Sequence, residues 1–263
     1  PRPSAAGPQP VPGVKKVIVV GSGKGGVGKS TVSANLAVAL ARAGKRIGLL
    51  DADIYGPSQP RMFGTNRRPA SPDGQTILPI DAQGLKLMSI GFMVKPDEAI
   101  VWRGPMLMGA MQQMLGQVKW DIDGELDALI IDLPPGTGDV QLTLCQKTRL
   151  DGAVIVSTPQ DMALIDAKRA LDMFRRLGTP VVGLVENMSV FCCPNCGHET
   201  SIFGTGGVSE WAEEAGLPLL AKLPLALATR ERGDAGQPIA TTDAAEAQPY
   251  LALADQLIRN GVV

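Results

Sequence analysis

The sequence predicts a three-layer α/β fold, with a mainly parallel central sheet and helices on both faces, and three observations carry that prediction. Short apolar runs without polar alternation recur at 16–20, 46–51, 127–132, 152–157, 180–185 and 218–223. Strands buried on both faces read this way. Helical stretches near 30–43, 138–149, 161–177 and 207–216 alternate with those runs, which is the order that covers a parallel sheet on both sides. Asp51 and Asp132 each close an apolar run, at the strand ends where ligands gather in open parallel sheets.

Taken in order, Pro1 to Gly13 is rich in Pro, Ala and Gly with little to bury, and residues 1–14 are expected to form a flexible tail or linker. Because the sequence begins without Met, a preceding piece is expected. Residues 15–263 read as one domain. The 263 residues, 44% hydrophobic and 19% charged, suffice for a full-size α/β core. A net charge of −1 gives no global electrostatic case for nucleic acid or an anionic membrane as partner. No apolar run approaches the roughly 20 residues that span a bilayer, and the start lacks the charged-then-apolar order of a secretory signal. A cytosolic protein is the expectation.

The first apolar run, Lys16 to Val20, leads into Gly23-Lys24-Gly25-Gly26-Val27-Gly28-Lys29-Ser30. This is the spacing of the phosphate-binding loop, G-x-x-x-x-G-K-S/T. The glycines let successive N–H groups turn inward, and the positive end of the following helix adds to their pull on a polyphosphate. Lys29 is expected at the β- and γ-phosphates and the Ser30 hydroxyl at Mg²⁺, with Thr31 also in the nucleotide-binding set. Val32, Leu36 and Leu40 mark the apolar face of the helix, and Gly44 stops it. Strand, glycine loop and helix in this order define a P-loop NTPase. Lys24 is surplus to the motif, a solvated loop charge unless something else uses it.

Asp51-Ala-Asp53 follows the second run. One carboxylate is expected to hold the loop or the Mg²⁺ shell and the other to orient water, with Asp53 favoured for the water. The Pro- and Gly-rich segment between 56 and 104, with a hairpin-like stretch from Gln75 to Ile90, reads as an insertion over the site. Asp132 leads into Leu133-Pro134-Pro135-Gly136, the form of an aspartate on the metal side, binding directly or through water, followed by a loop that senses the γ-phosphate.

Three of the four cysteines fall within five positions, Cys192, Cys193 and Cys196. Clustering of this kind points to metal chemistry rather than a disulfide scaffold. Cys193-Pro194-Asn195-Cys196-Gly197 can form a turn in which two thiolates grip one metal centre, in a loop at about 191–200. A single-chain site from Cys192, Cys193, Cys196 and His198 is strained, because adjacent cysteines tend to point apart. Cys145, beside Leu142 and Leu144, reads as core.

The loop with its early lysine resembles the deviant phosphate-binding loop of the ParA/MinD/nitrogenase-iron-protein class. That resemblance implies that Lys24 reaches across a nucleotide-sandwich dimer to the partner's phosphates. Further motifs, Asp51-Ala-Asp-Ile-Tyr-Gly-Pro-Ser58, Val101-Trp-Arg-Gly-Pro105, Asp132-Leu-Pro-Pro-Gly-Thr-Gly-Asp139, Glu186-Asn-Met-Ser189, Cys193-Pro-Asn-Cys196 and Ile202-Phe-Gly-Thr-Gly-Gly207, together resemble the Mrp/ApbC branch. Members of that branch are ATPases that carry iron–sulfur clusters. The resemblance implies ATP as nucleotide, and Asn187 at the adenine edge. It also implies a homodimer holding a labile [4Fe–4S] cluster for apo iron–sulfur proteins. Two thiolates are too few for a cluster that takes four, so a second chain is needed, as the Lys24 reading already requires. Zinc fits a four-cysteine site equally well, which would make a zinc-bridged regulatory ATPase. A positioning ATPase of the ParA/MinD kind, acting on DNA or membrane, is the other alternative. The terminal helix expected at 244–260 has one basic residue, Arg259, where a membrane-surface helix would want several. No nucleic-acid or membrane partner is therefore expected.

Overall fold

The computed structural model describes residues 7–54, 56–93 and 104–263. Its elements in chain order are β1 (Val14–Gly21), α1 (Lys29–Arg42), β2 (Ile47–Asp51), α2 (Gln59–Met62), β3 (Ile80–Ala82), β4 (Leu85–Ser89), α3 (Gly104–Gly116), β5 (Leu126–Asp132) and α4 (Asp139–Lys147). After these come β6 (Gly152–Ser157), α5 (Asp161–Arg176), β7 (Val181–Cys192), β8 (Glu199–Thr200), α6 (Gly207–Ala215), β9 (Leu219–Leu225), α7 (Leu227–Asp234) and α8 (Gln248–Arg259). Among the described residues one sheet runs in the order β3-β4-β2-β5-β1-β6-β7-β8, with β9 also paired to β7. The long strands pair in parallel, and the short β3 and β8 are antiparallel. The predicted three-layer fold is the one observed.

The apolar runs explain this arrangement. Ile18 to Val20, Leu49, Leu50, Leu129 to Ile131 and Val154 to Val156 are fully buried, each such side chain contributing roughly 1.5–3 kcal/mol relative to exposure. Helix α1 is buried from Val32 to Leu40. Strands β2 and β5 lie against one side of it and α8 against the other, with Tyr250, Leu253 and Leu257 facing the core.

Several boundaries differ from expectation. The stretch read as hairpin-like is a hairpin, β3 antiparallel to β4, but it extends the sheet: β4 lies parallel to β2, Gly48 opposite Lys86 and Asp51 opposite Ser89. All five β4 residues are buried, including Lys86, whose charge is met by Asp81 and Asp123. Strand β7 runs on past 185 to Cys192. The terminal helix starts at Gln248, after a 3-10 turn over Ala245–Ala247. Ahead of β1, the segment expected as a tail is docked from Gln9 onward. The Gln9 N–H donates to Lys147 O at 2.8 Å, the Arg149 N–H donates to Gln9 O at 2.8 Å, and Val11 is buried. Tyr55 and the segment Val101-Trp102-Arg103 lie outside the described residues.

Candidate functional site

Strands β1, β2, β5 and β7 end at one edge of the sheet, and the loop from Ser22 to Gly28 joins β1 to α1 there. Gly26 and Gly28 have φ of +83° and +79°, which L side chains rarely adopt. Gly28 caps α1 with no side-chain hydrogen bond, so the N–H groups of the first turn face the loop as an anion site. Close packing fixes two glycines as well. A Cβ on Gly23 would lie 2.0 Å from the carbonyl carbon of Asp166 in α5, and one on Gly28 would lie 2.3 Å from Asn187 Nδ2. Gly25 and Gly26 are exposed, Lys24 is half-buried, and Val27 is buried. The Ser22 hydroxyl donates to Lys24 O at 2.9 Å, and Gly136 N–H donates to Ser22 O at 3.0 Å. The P-loop and the loop after Asp132 are thus joined.

Lys29 and Asp132, assigned separately to phosphate and Mg²⁺, are paired with each other. Lys29 Nζ lies 2.6 Å from Asp132 Oδ1, with side-chain exposures of 5% and 0%. A buried charge is tolerable only when paired and hydrogen-bonded. The Ser33 hydroxyl donates to the same Oδ1 at 3.0 Å, and Gln59 Nε2 donates to Oδ2 at 2.9 Å. Lys29 Nζ also reaches Ser30 Oγ at 3.4 Å. Asp51 lies opposite Asp132 in the β2–β5 register, accepting from Gln59 N–H and Ser89 Oγ, both 3.0 Å, and Asp53 N–H at 3.1 Å. Burial, with the Asp132 charge adding to it, pushes Asp51 up to about 7. Asp53 is half-buried on the loop beyond β2.

Two buried carboxylates beside one ammonium suit a hard divalent cation. The oxygens at hand, Ser30 Oγ and the Asp132 carboxylate, are of the kind Mg²⁺ takes, and beside them a buried Gln59 Oε1 accepts from no described residue. The ion would there neutralise charge developing on a phosphoryl group.

Beside the loop lies a cavity of about 400 Å³ lined by Thr31, Met62, Asn187, Met188, Arg230 and Tyr250 among others. Asn187 Nδ2 donates to Val27 O at 2.8 Å, leaving its carbonyl oxygen and second N–H for a ligand. Met188 has φ of +55°, and the β7–β9 register shifts just beyond it.

Strand β7 continues into the cysteine hairpin, which β8 closes through the pairs Phe191–Thr200 and Cys192–Glu199. Cys193 N–H donates to His198 O and Gly197 N–H to Cys193 O, both at 2.9 Å. Gly197 takes φ of +72° to make the turn. Backbone N–H groups of Asn195 and Cys196, then the Cys196 thiol, hold the Cys193 thiol below the usual cysteine range, as donors aimed at a thiolate do. Cys196 is exposed. The exposed Cys192 turns its thiol back to Gly197 O at 3.7 Å. Among the described residues no group of three or more His, Cys, Asp or Glu is placed to hold a metal ion. Cys145 is buried, its thiol pushed up to about 12 by burial, as expected of a core residue.

Sequence reasoning missed Ser33, Gln59 and Ser89. Ser33 was findable, since it lies one turn beyond Lys29 on the same helical face. Gln59 and Ser89 sit in the segment read as an insertion and had no local signal.

A glycine loop between the central strand and its helix, closed by a buried strand-end aspartate, defines a nucleotide-binding protein of the P-loop NTPase class. Within that class, the family model described as NUBPL iron-transfer P-loop NTPase matches residues 13–258, and the chain belongs to this family. It is 52% identical over 250 residues to the iron–sulfur cluster carrier protein of Haemophilus influenzae, covering 94% of this chain and 67% of that one. To the carrier protein of Escherichia coli it is 55% identical over 227 residues, 86% of this chain and 61% of the relative. The mouse iron–sulfur cluster transfer protein NUBPL is 48% identical over 255 residues, 95% of this chain and 79% of the relative. Among solved structures, an ADP-bound nucleotide-binding protein from Archaeoglobus fulgidus, in which cobalt was found, superposes with a TM-score of 0.77 at 40% identity, covering 91% of this chain and 93% of that one. The cell division ATPase MinD of Pyrococcus furiosus, at 21% identity and a TM-score of 0.69 over 93% of this chain and 99% of its own, shares the fold.

Proposed function

We propose that this chain binds ATP with Mg²⁺ at the P-loop and hydrolyses it slowly. Two copies clasp one labile [4Fe–4S] cluster between their Cys193 and Cys196 pairs and pass it to apo iron–sulfur proteins. The cluster is cargo. The observation that carries this reading is the cysteine knuckle, a turn closed by Cys193 N–H to His198 O and Gly197 N–H to Cys193 O that sets two thiols per chain, just beyond the strand that carries Asn187. Four thiolates, the number a [4Fe–4S] cluster takes, need two such chains. The carrier names of the relatives agree with that cargo, and the ADP of the Archaeoglobus structure agrees with a nucleotide at the loop.

Exposed apolar side chains near both sites are available to such a dimer. Met162 and Ile165, 66% and 49% exposed, lie on α5, whose backbone at Asp166 packs against Gly23 beside Lys24. Ile202, 54% exposed, lies between the hairpin and α6. In the dimer Lys24 supplies its charge to the partner's nucleotide, Asp53 orients the attacking water, and Asn187 reads the base. Nucleotide state biases the dimer geometry and so the grip on the cluster.

Anaerobic reconstitution with iron and sulfide, read by absorption and iron counting together with native mass, tests this. Four irons per dimer are expected, lost in both Cys193→Ser and Cys196→Ser. Zinc that stays bound regardless of iron supply would favour a zinc-bridged dimer instead. Salt-dependent DNA binding without metal would favour a positioning ATPase.

A further inference from the structure

Gln59 opens α2, has no exposed surface, and draws no attention from any motif's chemistry. Its backbone N–H donates to Asp51 Oδ2 at 3.0 Å, and its Nε2 donates to both Ser30 O and Asp132 Oδ2 at 2.9 Å. One residue therefore ties the first turn of α1 to both strand-end carboxylates. Its Oε1 is buried and accepts from no described residue. A buried amide oxygen without a donor is costly, and native proteins keep few of them.

The surroundings say which donor belongs there. Lys29 Nζ, the strongest donor nearby, bonds Asp132 Oδ1 and Ser30 Oγ, and its third N–H makes no bond to Oε1. Ser33 Oγ is likewise committed, to Lys29 O and Asp132 Oδ1. Among the described residues none donates to Oε1, and the neighbouring Ser30 Oγ and Asp132 carboxylate are oxygens that suit a hard cation. Water on a divalent cation would supply that donor, since its lone pair faces the metal and its hydrogens point outward.

We propose that Gln59 is a positioning residue for the magnesium ion of the nucleotide site: Nε2 fixes the Asp132 carboxylate and Oε1 accepts a hydrogen bond from the ion's hydration shell. This rests on the Mg²⁺-nucleotide reading above and extends it to a residue outside the P-loop and the strand-end acids. Its consequence is a split between metal and nucleotide. Gln59 contributes to Mg²⁺-supported binding and little to the hold on the nucleotide alone.

The experiment is ADP titration calorimetry on the full chain across a Mg²⁺ series, for wild type, Gln59→Leu and Gln59→Glu. Gln59→Leu keeps the bulk and removes both polar ends. It is expected to raise the Mg²⁺ midpoint about fivefold or more, the scale of one net hydrogen bond, with Mg²⁺-free ADP affinity within about twofold of wild type. Gln59→Glu keeps an acceptor oxygen but sets a second, charged oxygen against Ser30 O and Asp132 Oδ2 where Nε2 donated; Mg²⁺ offsets that repulsion, so the midpoint is expected to fall below wild type. A residue that only braces the fold would shift Mg²⁺-free and Mg²⁺-supported binding together, in the same direction in both variants. That result, or unchanged midpoints in both, overturns the proposal. If Gln59→Leu fails to fold, the direction of the Gln59→Glu shift decides. Wild-type ADP binding that ignores Mg²⁺ would overturn the nucleotide reading itself, whereas a magnesium-dependent wild type with unmoved variants overturns only the role of Gln59.

Discussion

The phosphate site and the cysteine knuckle hang from the same strand, β7, and are built in opposite ways. Asn187, near the middle of β7, is buried and bonded to the P-loop. Cys193, six residues on and so within roughly 20 Å along an extended chain, stands just past the strand's end. Around the loop, Lys29, Ser33, Asp51, Gln59, Ser89 and Asp132 hold one another through buried hydrogen bonds. Around the knuckle, backbone turns set two thiols and nothing on the same chain completes a ligand group among the described residues. A site that must grip one face of a small, diffusing anion is assembled within a single core. The proposed handing-on of a cluster fits a site that is left open.

Asp132→Ala gives the largest expected effect. It strands Lys29, 5% exposed, without its carboxylate, and loss of one partner of a buried pair costs about 3–5 kcal/mol. Denaturant unfolding measures that cost, and ADP titration is expected to show Mg²⁺-supported binding gone. Gly28→Ala follows. It combines a left-handed φ with a Cβ 2.3 Å from Asn187 Nδ2, whereas Gly26→Ala has the same kind of φ with nothing within 4 Å. Gly26→Ala is expected to cost only the backbone term of about 1–2 kcal/mol and Gly28→Ala distinctly more. Equal losses would mean that Asn187 does not brace the loop.

Smaller effects on stability are expected where the chain is open. Lys24→Ala, at a half-buried loop position, is expected to shift unfolding by no more than about 0.5 kcal/mol. Steady-state hydrolysis should nevertheless fall at least about a hundredfold, since a charge supplied in trans acts on the transition state, with ADP affinity nearly unchanged. Equal losses in hydrolysis and binding would break the link between Lys24 and a second chain. Cys193→Ser is the smallest in stability, within about 0.5 kcal/mol, with iron uptake reduced to background. Destabilisation on the scale of Asp132→Ala would make the knuckle a structural staple and erase the contrast.

Legibility follows the distance between partners along the chain. Strand, glycine loop and helix are contiguous from Val14 to Arg42, so glycine spacing and periodicity identify both the fold class and the phosphate site. Asp132 was readable because an acid ending an apolar strand is a local pattern. The knuckle was readable because its turn spans five residues. Gln59 was not, since it meets Asp132 across 73 positions and Ser30 across 29. The hairpin holding β4 was legible, but not its place in the sheet, because its pairing with β2 depends on residues some 38 positions away, as between Ser89 and Asp51. The expected tail was likewise misjudged at Gln9, which bonds to Lys147 and Arg149.

The sequence by itself determined the parallel α/β sheet, the family, the P-loop and the short turn that holds Cys193 and Cys196, because each is written in neighbouring residues. Only the tertiary structure decided that Lys29 and Asp132 neutralise each other, that Asp51 sits beside Asp132 with its carboxyl pushed up to about 7, and that Gln59 joins them. Those are outcomes of desolvation. Burying two carboxylates and an ammonium together forces each to find its partners in space, wherever along the chain they lie.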